Sequence, residues 1–322
     1  MEKNVKKIMY KFYNRSHKYE SRGFSFVRVC SCLFAVKFLL VIFLLSSCLR
    51  QEKHDGIFVA VSIPPQAWFV SQIAGDKARS FVLVPPGQNP HNYEPTPRQI
   101  QNLASASAWI LSGSDFEITL TPKISALFPN LQIVDGTKGV QFRLMQEHEH
   151  HDCDDDHHHS LEIDRHTWMG REPAKILAMH IRDTLSQIDS ENEAYYQERY
   201  AHLASEIDAA FNELKIKLSS LEGKSVFVYD PSFGYFFDEF GIVQEAVETG
   251  GKEPTPRELN RLIAKVNEEK PSAIFVQSQF PASAARSLAA ATGVELLSLD
   301  PLAEKWLENI MLIGQTLYKL IQ

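Results

Sequence analysis

Residues 191–221 read ENEAYYQERYAHLASEIDAAFNELKIKLSSL and contain neither glycine nor proline. Apolar and aromatic residues recur along this stretch mostly at spacings of three and four, the period of one buried helix face. The residues of this face are Tyr195, Tyr200, Leu203, Ile207, Phe211, Leu214 and Leu218. A coiled-coil dimer would need four heptads with strict a and d positions and partner charges, which the sequence lacks. We therefore predict one long, rigid helix over residues 191–222 that joins the parts of the chain on either side.

On both sides of this helix, short apolar runs bounded by glycine and proline alternate with stretches of helical period, which is typical of parallel sheets. The runs that we predict as strands are Phe58–Val61, Phe81–Val84, Trp109–Leu111 and Leu131–Val134 before the helix, and Ser225–Tyr229, Ala273–Val276 and Val294–Leu297 after it. The sequence thus predicts an α/β fold with two Rossmann-like lobes of parallel sheet, over residues 57–190 and 223–322.

The N-terminal residues have the layout of an export signal. Residues 1–47 carry nine Lys and Arg against two Glu, and an apolar run at residues 38–45 leads into Ser46-Ser47-Cys48. This is a secretory signal, too short for a finished membrane span, although an uncleaved anchor is the alternative. The small residues before Cys48 resemble the bacterial lipobox, in which the cysteine is acylated. We predict a signal peptide over residues 1–47, a lipid on Cys48, a tether over residues 48–56, and a body that is periplasmic or at the cell surface.

Composition narrows the function of that body. After residue 47 the chain has 24 Lys and Arg against 38 Asp and Glu, so nucleic acid, which is bound by phosphate neutralisation, is not the expected partner. One cysteine, Cys153, remains after Cys48, which leaves no internal disulfide and no structural Cys₄ zinc site. No GxGxxG follows the first strand, and neither GxxxxGK[ST] nor GxSxG occurs. The sequence therefore lacks the usual motifs of nucleotide-binding proteins and serine hydrolases.

Two histidines lie next to predicted strands or helices, at places suited to ligand binding. His91 lies in the proline-rich loop 85–97, beyond the carboxyl end of a predicted strand, where open α/β sheets bind ligands. The alternative is a turn histidine with local hydrogen bonds. His166 precedes a predicted helix at residues 173–188, and beside Trp168 it is alternatively a half-buried packing residue.

Two aspartates stand at the ends of predicted strands in the second lobe. Asp230 follows the run that ends at Tyr229, and Asp300 follows Leu299. Each is alternatively the cap of a following helix. Together with the two histidines they make a set of four candidate ligands, and imidazole with carboxylate suits Zn²⁺, Mn²⁺ or Fe²⁺.

Residues 147–159 contain six histidines and six acidic residues. Such a segment cannot form a core, so it is either a solvated spacer or a weak collector of metals such as zinc. Its histidines are His148, His150, His151, His157, His158 and His159.

Several of these motifs occur in the same order in one known family. The motifs are the Pro-Gly-x-x-Pro-His-x-Tyr-Glu-Pro run ending at Pro95, the Asp-x-His-x-Trp run ending at Trp168, the histidine-rich segment, residues 250–259, residues 273–276, and residues 299–303 with Trp306 and Asn309. Over nearly the whole mature chain they resemble the zinc and manganese solute-binding proteins of ABC transporters.

The resemblance implies two lobes joined by a rigid helix, with one divalent metal in the cleft between them and delivery to a permease and its ATPase. It also implies a binding protein rather than an enzyme, and we expect a monomer. Carried over by motif, His91 and His166 are the first-lobe ligands and Asp300 is the last carboxylate ligand.

Two positions depart from the family pattern. Zinc members usually have histidine where this chain has Asp230, whereas manganese members have a carboxylate, and Arg165 replaces a common proline. The Irving–Williams order still favours zinc at a site of this kind, so we expect Zn²⁺ as the transported ion, with Mn²⁺ or Fe²⁺ as the alternative. A surface adhesin and a metallohydrolase are weaker alternatives. A catalytic zinc keeps an open coordination position and needs a nearby general base, whereas four candidate ligands would close the shell here. Since ligand histidines must be neutral, affinity should fall as pH drops through about 6.5.

Overall fold

A computed structural model describes residues 56–145, 163–248, 254–280 and 283–320, which form two four-stranded parallel sheets. The first sheet has the order β2-β1-β3-β4, and the second has the equivalent order β6-β5-β7-β8. The strands are β1 (Ile57–Val61), β2 (Ala78–Val82), β3 (Ala108–Leu111), β4 (Gln132–Asp135), β5 (Ser225–Val228), β6 (Val243–Ala246), β7 (Ala273–Val276) and β8 (Glu295–Ser298). The prediction of two α/β lobes with parallel sheets is confirmed.

Strand β6 is the one strand that we did not predict. Its sequence, Val-Gln-Glu-Ala, has two polar residues at its centre, and both are buried. The Gln244 side chain accepts a hydrogen bond from the Phe233 N–H at 2.9 Å and donates one to the Pro231 carbonyl at 3.1 Å. Because these bonds satisfy the buried amide, this edge strand forms without an apolar run.

Nine α-helices lie in the part of the chain that the structure describes. They are α1 (Pro64–Ala74), α2 (Pro97–Ala104), α3 (Asp115–Leu127), α4 (Arg171–Ile188), α5 (Glu193–Lys217), α6 (Gly234–Asp238), α7 (Pro256–Glu269), α8 (Ser283–Thr292) and α9 (Trp306–Lys319). Helix α5 is the predicted joining helix, and short 3₁₀ turns precede and follow it. No helix in these ranges is both long and apolar enough to cross a membrane.

The joining helix is part of the core of both lobes. Helix α5 packs against α1, α4 and α9. Phe211 of α5 lies 6.0 Å from Phe240 and 6.4 Å from Trp306, measured between ring centroids. Gly314 of α9 faces Leu214 so closely that a Cβ there would clash with the leucine. One continuous buried cluster therefore runs from the first sheet through α5 into the second lobe.

Several predictions concern residues outside these ranges. The signal peptide, Cys48, the tether up to residue 55, and the six histidines of residues 147–159 all lie outside the described residues. An antiparallel bridge between Leu144 and Ile163 stands where the chain leaves and re-enters the described part around the histidine-rich segment.

Candidate metal site

Three of the four predicted ligands come together at the carboxyl ends of the strands. The Nε2 atom of His91 lies 3.5 Å from Asp230 Oδ1, and the Nε2 atom of His166 lies 3.8 Å from Asp230 Oδ2. One ligand atom from each residue lies within 4.8 Å of the others. Because zinc bonds nitrogen and oxygen at about 2.0–2.2 Å, the distances of 3.5 and 3.8 Å would let one ion bridge either histidine to Asp230.

His91 is oriented by a carboxylate from another element. Its Nδ1 lies 2.6 Å from Oδ2 of Asp115, in the first turn of α3, and Asp115 Oδ1 lies 2.9 Å from Nε of Arg165. A carboxylate on one ring nitrogen fixes the tautomer that leaves the other nitrogen free to bind a metal. The local-turn alternative accounts for the backbone, since the His91 N–H donates to Asn89 Oδ1, but not for this side-chain contact.

His166 has the same arrangement. Its Nδ1 lies 2.9 Å from Oδ1 of Asp164, and the other oxygen of Asp164 accepts a hydrogen bond from Arg143 Nη1 at 2.7 Å. The ring also packs 5.4 Å from the ring of Trp168. The packing alternative is therefore real, but it leaves Nε2 directed at Asp230, so packing and metal binding are compatible.

Asp230 is the buried anion between the two rings. The residue is only 1% exposed, and Oδ1 has no hydrogen-bond partner among the residues that the structure describes. The backbone at Asp230 is fixed by Gln277, which accepts from its N–H at 3.1 Å and donates to its carbonyl at 2.9 Å. The helix-cap alternative is wrong for Asp230, because Phe233 is the N-cap of α6 and provides no side-chain cap. An unsatisfied buried carboxylate oxygen facing two imidazoles is what a divalent cation would complete.

Asp300 lies at the end of β8 and is not one of the three grouped residues. Its Oδ1 accepts hydrogen bonds from Gln279 Nε2 at 2.6 Å and from the Leu302 N–H at 2.9 Å. The helix-cap alternative is also wrong here, since the N-cap of α9 is Lys305. The role of Asp300 as a ligand stays a prediction.

Three carboxylates at the candidate site were not predicted. Asp115 and Asp164 contact the Nδ1 atoms of His91 and His166, and Glu248 lines the same cleft as His91, His166 and Asp230. The Asp-x-His spacing was a usable signal for Asp164. Asp115 and Glu248 reach the site only through tertiary packing. Glu248 follows β6, the strand that has no apolar run in its sequence.

The electrostatics of the site favour a cation. Burial alone would lower the pKa of His91, but its contacts with the carboxylates of Asp115 and Asp230 raise the pKa to about 10. Burial would raise the pKa of Asp230, but His91, His166 and Glu248 hold it below its ordinary value. In the metal-free protein, the His91 imidazolium thus neutralises part of the carboxylate charge at neutral pH.

We therefore expect zinc binding to release a proton from His91 at any pH below about 10. The sequence alone suggested that protons compete with the metal only below a pH of about 6.5, the ordinary histidine pKa. The proton competes with the metal, so the apparent affinity should rise by up to about tenfold per pH unit from this group between pH 7 and 9. Calorimetry at pH 7.5 in buffers of different ionisation enthalpy measures the release. Heats that are the same in all buffers would contradict it.

The fold and the site together define a two-lobed binding protein for a divalent metal ion. The family model described as "Zinc-uptake complex component A periplasmic" matches residues 59–318. The chain belongs to this family, whose members are binding components of metal import and not enzymes. The predicted class of protein is confirmed.

Individual relatives agree with this placement. The chain is 27% identical to the high-affinity zinc uptake system protein ZnuA of Yersinia pestis, over 76% of this chain and 82% of the relative. It is 26% identical to a putative metal-binding protein of Chlamydia trachomatis, over 80% of this chain and 88% of the relative. A crystal structure of ZnuA superposes with a TM-score of 0.76 at 30% identity, covering 83% of this chain and all of the other.

Proposed function

We propose that this protein captures Zn²⁺ outside the cytoplasm and delivers it to the permease and ATPase of an ABC importer. The observation that carries the proposal is the buried group of His91, His166 and Asp230, with an unsatisfied carboxylate oxygen at its centre. Two imidazoles and a carboxylate are borderline ligands, and a site of this kind binds zinc more tightly than Mn²⁺ or Fe²⁺ unless geometry forbids it. Manganese or iron is the alternative, because Asp230 stands where zinc-type members usually have histidine.

The rest of the chain takes its role from this function. Residues 1–47 direct export, and Cys48 carries a lipid that holds the protein at the membrane through the tether of residues 48–56. The first lobe spans residues 57–190, the joining helix residues 191–222, and the second lobe residues 223–322. The histidines of residues 147–159 collect zinc weakly, and the protein acts as a monomer.

Competitive calorimetry of zinc against manganese on the purified protein tests the choice of metal. We expect one tight site that prefers zinc and that persists in a variant lacking residues 147–159. The His166→Ala variant should lose this site. His202→Ala, which removes a 75% exposed histidine from α5, should keep it.

A tight site that retains manganese in the presence of zinc would move the assignment to manganese uptake. Loss of the tight site on deletion of residues 147–159 would mean that the principal metal site lies in that segment.

A further inference from the structure

Glu248 and Asp230 follow two neighbouring strands of the second sheet. Strands β5 and β6 pair in parallel from Ser225 with Val243 to Val228 with Ala246. Beyond the last pair, the Val247 N–H donates to Val228 O at 2.8 Å and the Glu248 N–H donates to Tyr229 O at 2.9 Å, so the two segments stay adjacent past the strand ends. Asp230 and Glu248 each lie two residues beyond their strand, in a bend. Both residues therefore lie at the carboxyl edge of the second sheet.

Both carboxyl groups are buried in the cleft that His91 and His166 line. Glu248 is 2% exposed, and its side chain is one of the groups that hold the pKa of Asp230 below its ordinary value. Two carboxyl groups in contact and out of water are unfavourable unless a cation or a network of donors compensates them. Besides the two histidines, the cationic side chain among the described lining residues is that of Arg165, and it pairs with Asp115.

Two further carboxylates are candidates to complete the metal shell, and neither belongs to the group that His91, His166 and Asp230 form within 4.8 Å. Glu248 lines the cleft with these three residues, whereas Asp300 follows β8 and is not among the lining residues. One oxygen of Asp300 already accepts two hydrogen bonds, from Gln279 and from the backbone of Leu302. The unsatisfied Oδ1 of Asp230 marks the centre of the site independently of Glu248.

We propose that Glu248 is a ligand of the bound metal, so that the second lobe contributes two neighbouring carboxylates from β5 and β6. The shell then contains two imidazole nitrogens and at least two carboxylate oxygens. This inference rests on the proposed function, since it names a further ligand of the same site.

The test compares Glu248→Gln with Asp300→Asn and with Glu295→Gln, measured by zinc competition against a chelating dye. Glu295 is exposed at the start of β8, at the opposite edge of the sheet from the site, so its replacement removes the same charge without touching the cleft. Glutamine keeps the length and hydrogen-bonding capacity of Glu248 but is a poor metal ligand. We expect Glu248→Gln to lose at least about tenfold in zinc affinity, and Glu295→Gln to match the wild type.

Cobalt substitution separates direct ligation from an effect of charge alone. The visible d–d absorption of the Co²⁺-loaded protein reports the ligand set, and we expect Glu248→Gln to change it while Glu295→Gln does not. An unchanged cobalt spectrum, or a zinc affinity within about threefold of wild type (~0.6 kcal/mol), would overturn the inference. If the His91→Ala and His166→Ala variants each lose zinc affinity while Glu248→Gln does not, the proposed function stands without Glu248. If these variants also match the wild type, the proposed function itself fails.

Discussion

Asp230→Asn is expected to lower zinc affinity by at least about tenfold, the largest effect of any conservative change at the site. Asp230 is the residue that both ligand histidines face, at 3.5 and 3.8 Å. Asparagine has the same shape but no charge, so the variant removes the anion and leaves the packing. Titration of the metal-free variant with zinc, in competition with a chelating dye, measures the loss.

Asp183→Asn is the matched control for this change. Asp183 lies on α4, where it pairs with Arg182 and is partly exposed, so its replacement should leave zinc affinity unchanged. Thermal unfolding of the metal-free proteins shows whether either variant alters the fold. An Asp230→Asn protein that folds and binds zinc as tightly as the wild type would remove Asp230 from the site.

Phe211→Ala is expected to lower the free energy of unfolding by about 3–5 kcal/mol, the usual range for a buried phenylalanine. The Phe211 ring is buried where the joining helix meets the second lobe, with Phe236, Phe240 and Trp306 around it. Truncation leaves a cavity between elements that are far apart in sequence, so they cannot all close on it. Urea unfolding of the metal-free protein measures the change.

Ile216→Ala on the same helix is the control, because Ile216 is 78% exposed. We expect it to change the free energy of unfolding by no more than about 0.5 kcal/mol. Equal losses in the two variants would show that the joining helix does not link the cores of the two lobes.

The fold was predictable because its signals are local. Six of the eight strands contain apolar runs that the sequence shows directly, and the joining helix has an uninterrupted buried face. The run predicted at Phe81–Val84 overlaps only the last two residues of β2 (Ala78–Val82), which begins with Ala-Arg-Ser. Strand β6 was not predictable, because Gln244 is stabilised in the interior by the backbone of residues 231 and 233. Such bonds arise only once the lobe has folded.

The strand-end rule predicted that His91 and Asp230 lie in loops suited to ligand binding. These loops follow strands of two different sheets, so their meeting with His166 was implied only by the family resemblance. The residues that orient and extend the site were not predictable in the same way. Asp115 reaches His91 from the start of another helix, and Glu248 follows β6, the strand that the sequence pattern did not predict.

Anomalous diffraction from zinc-loaded crystals, measured on both sides of the zinc absorption edge, tests the metal site most directly. We expect one strong zinc peak within about 2.2 Å of the Nε2 atoms of His91 and His166 and of an Asp230 carboxylate oxygen. A principal zinc peak away from these three residues, with no peak between them, would contradict the assignment of this cleft as the zinc-binding site.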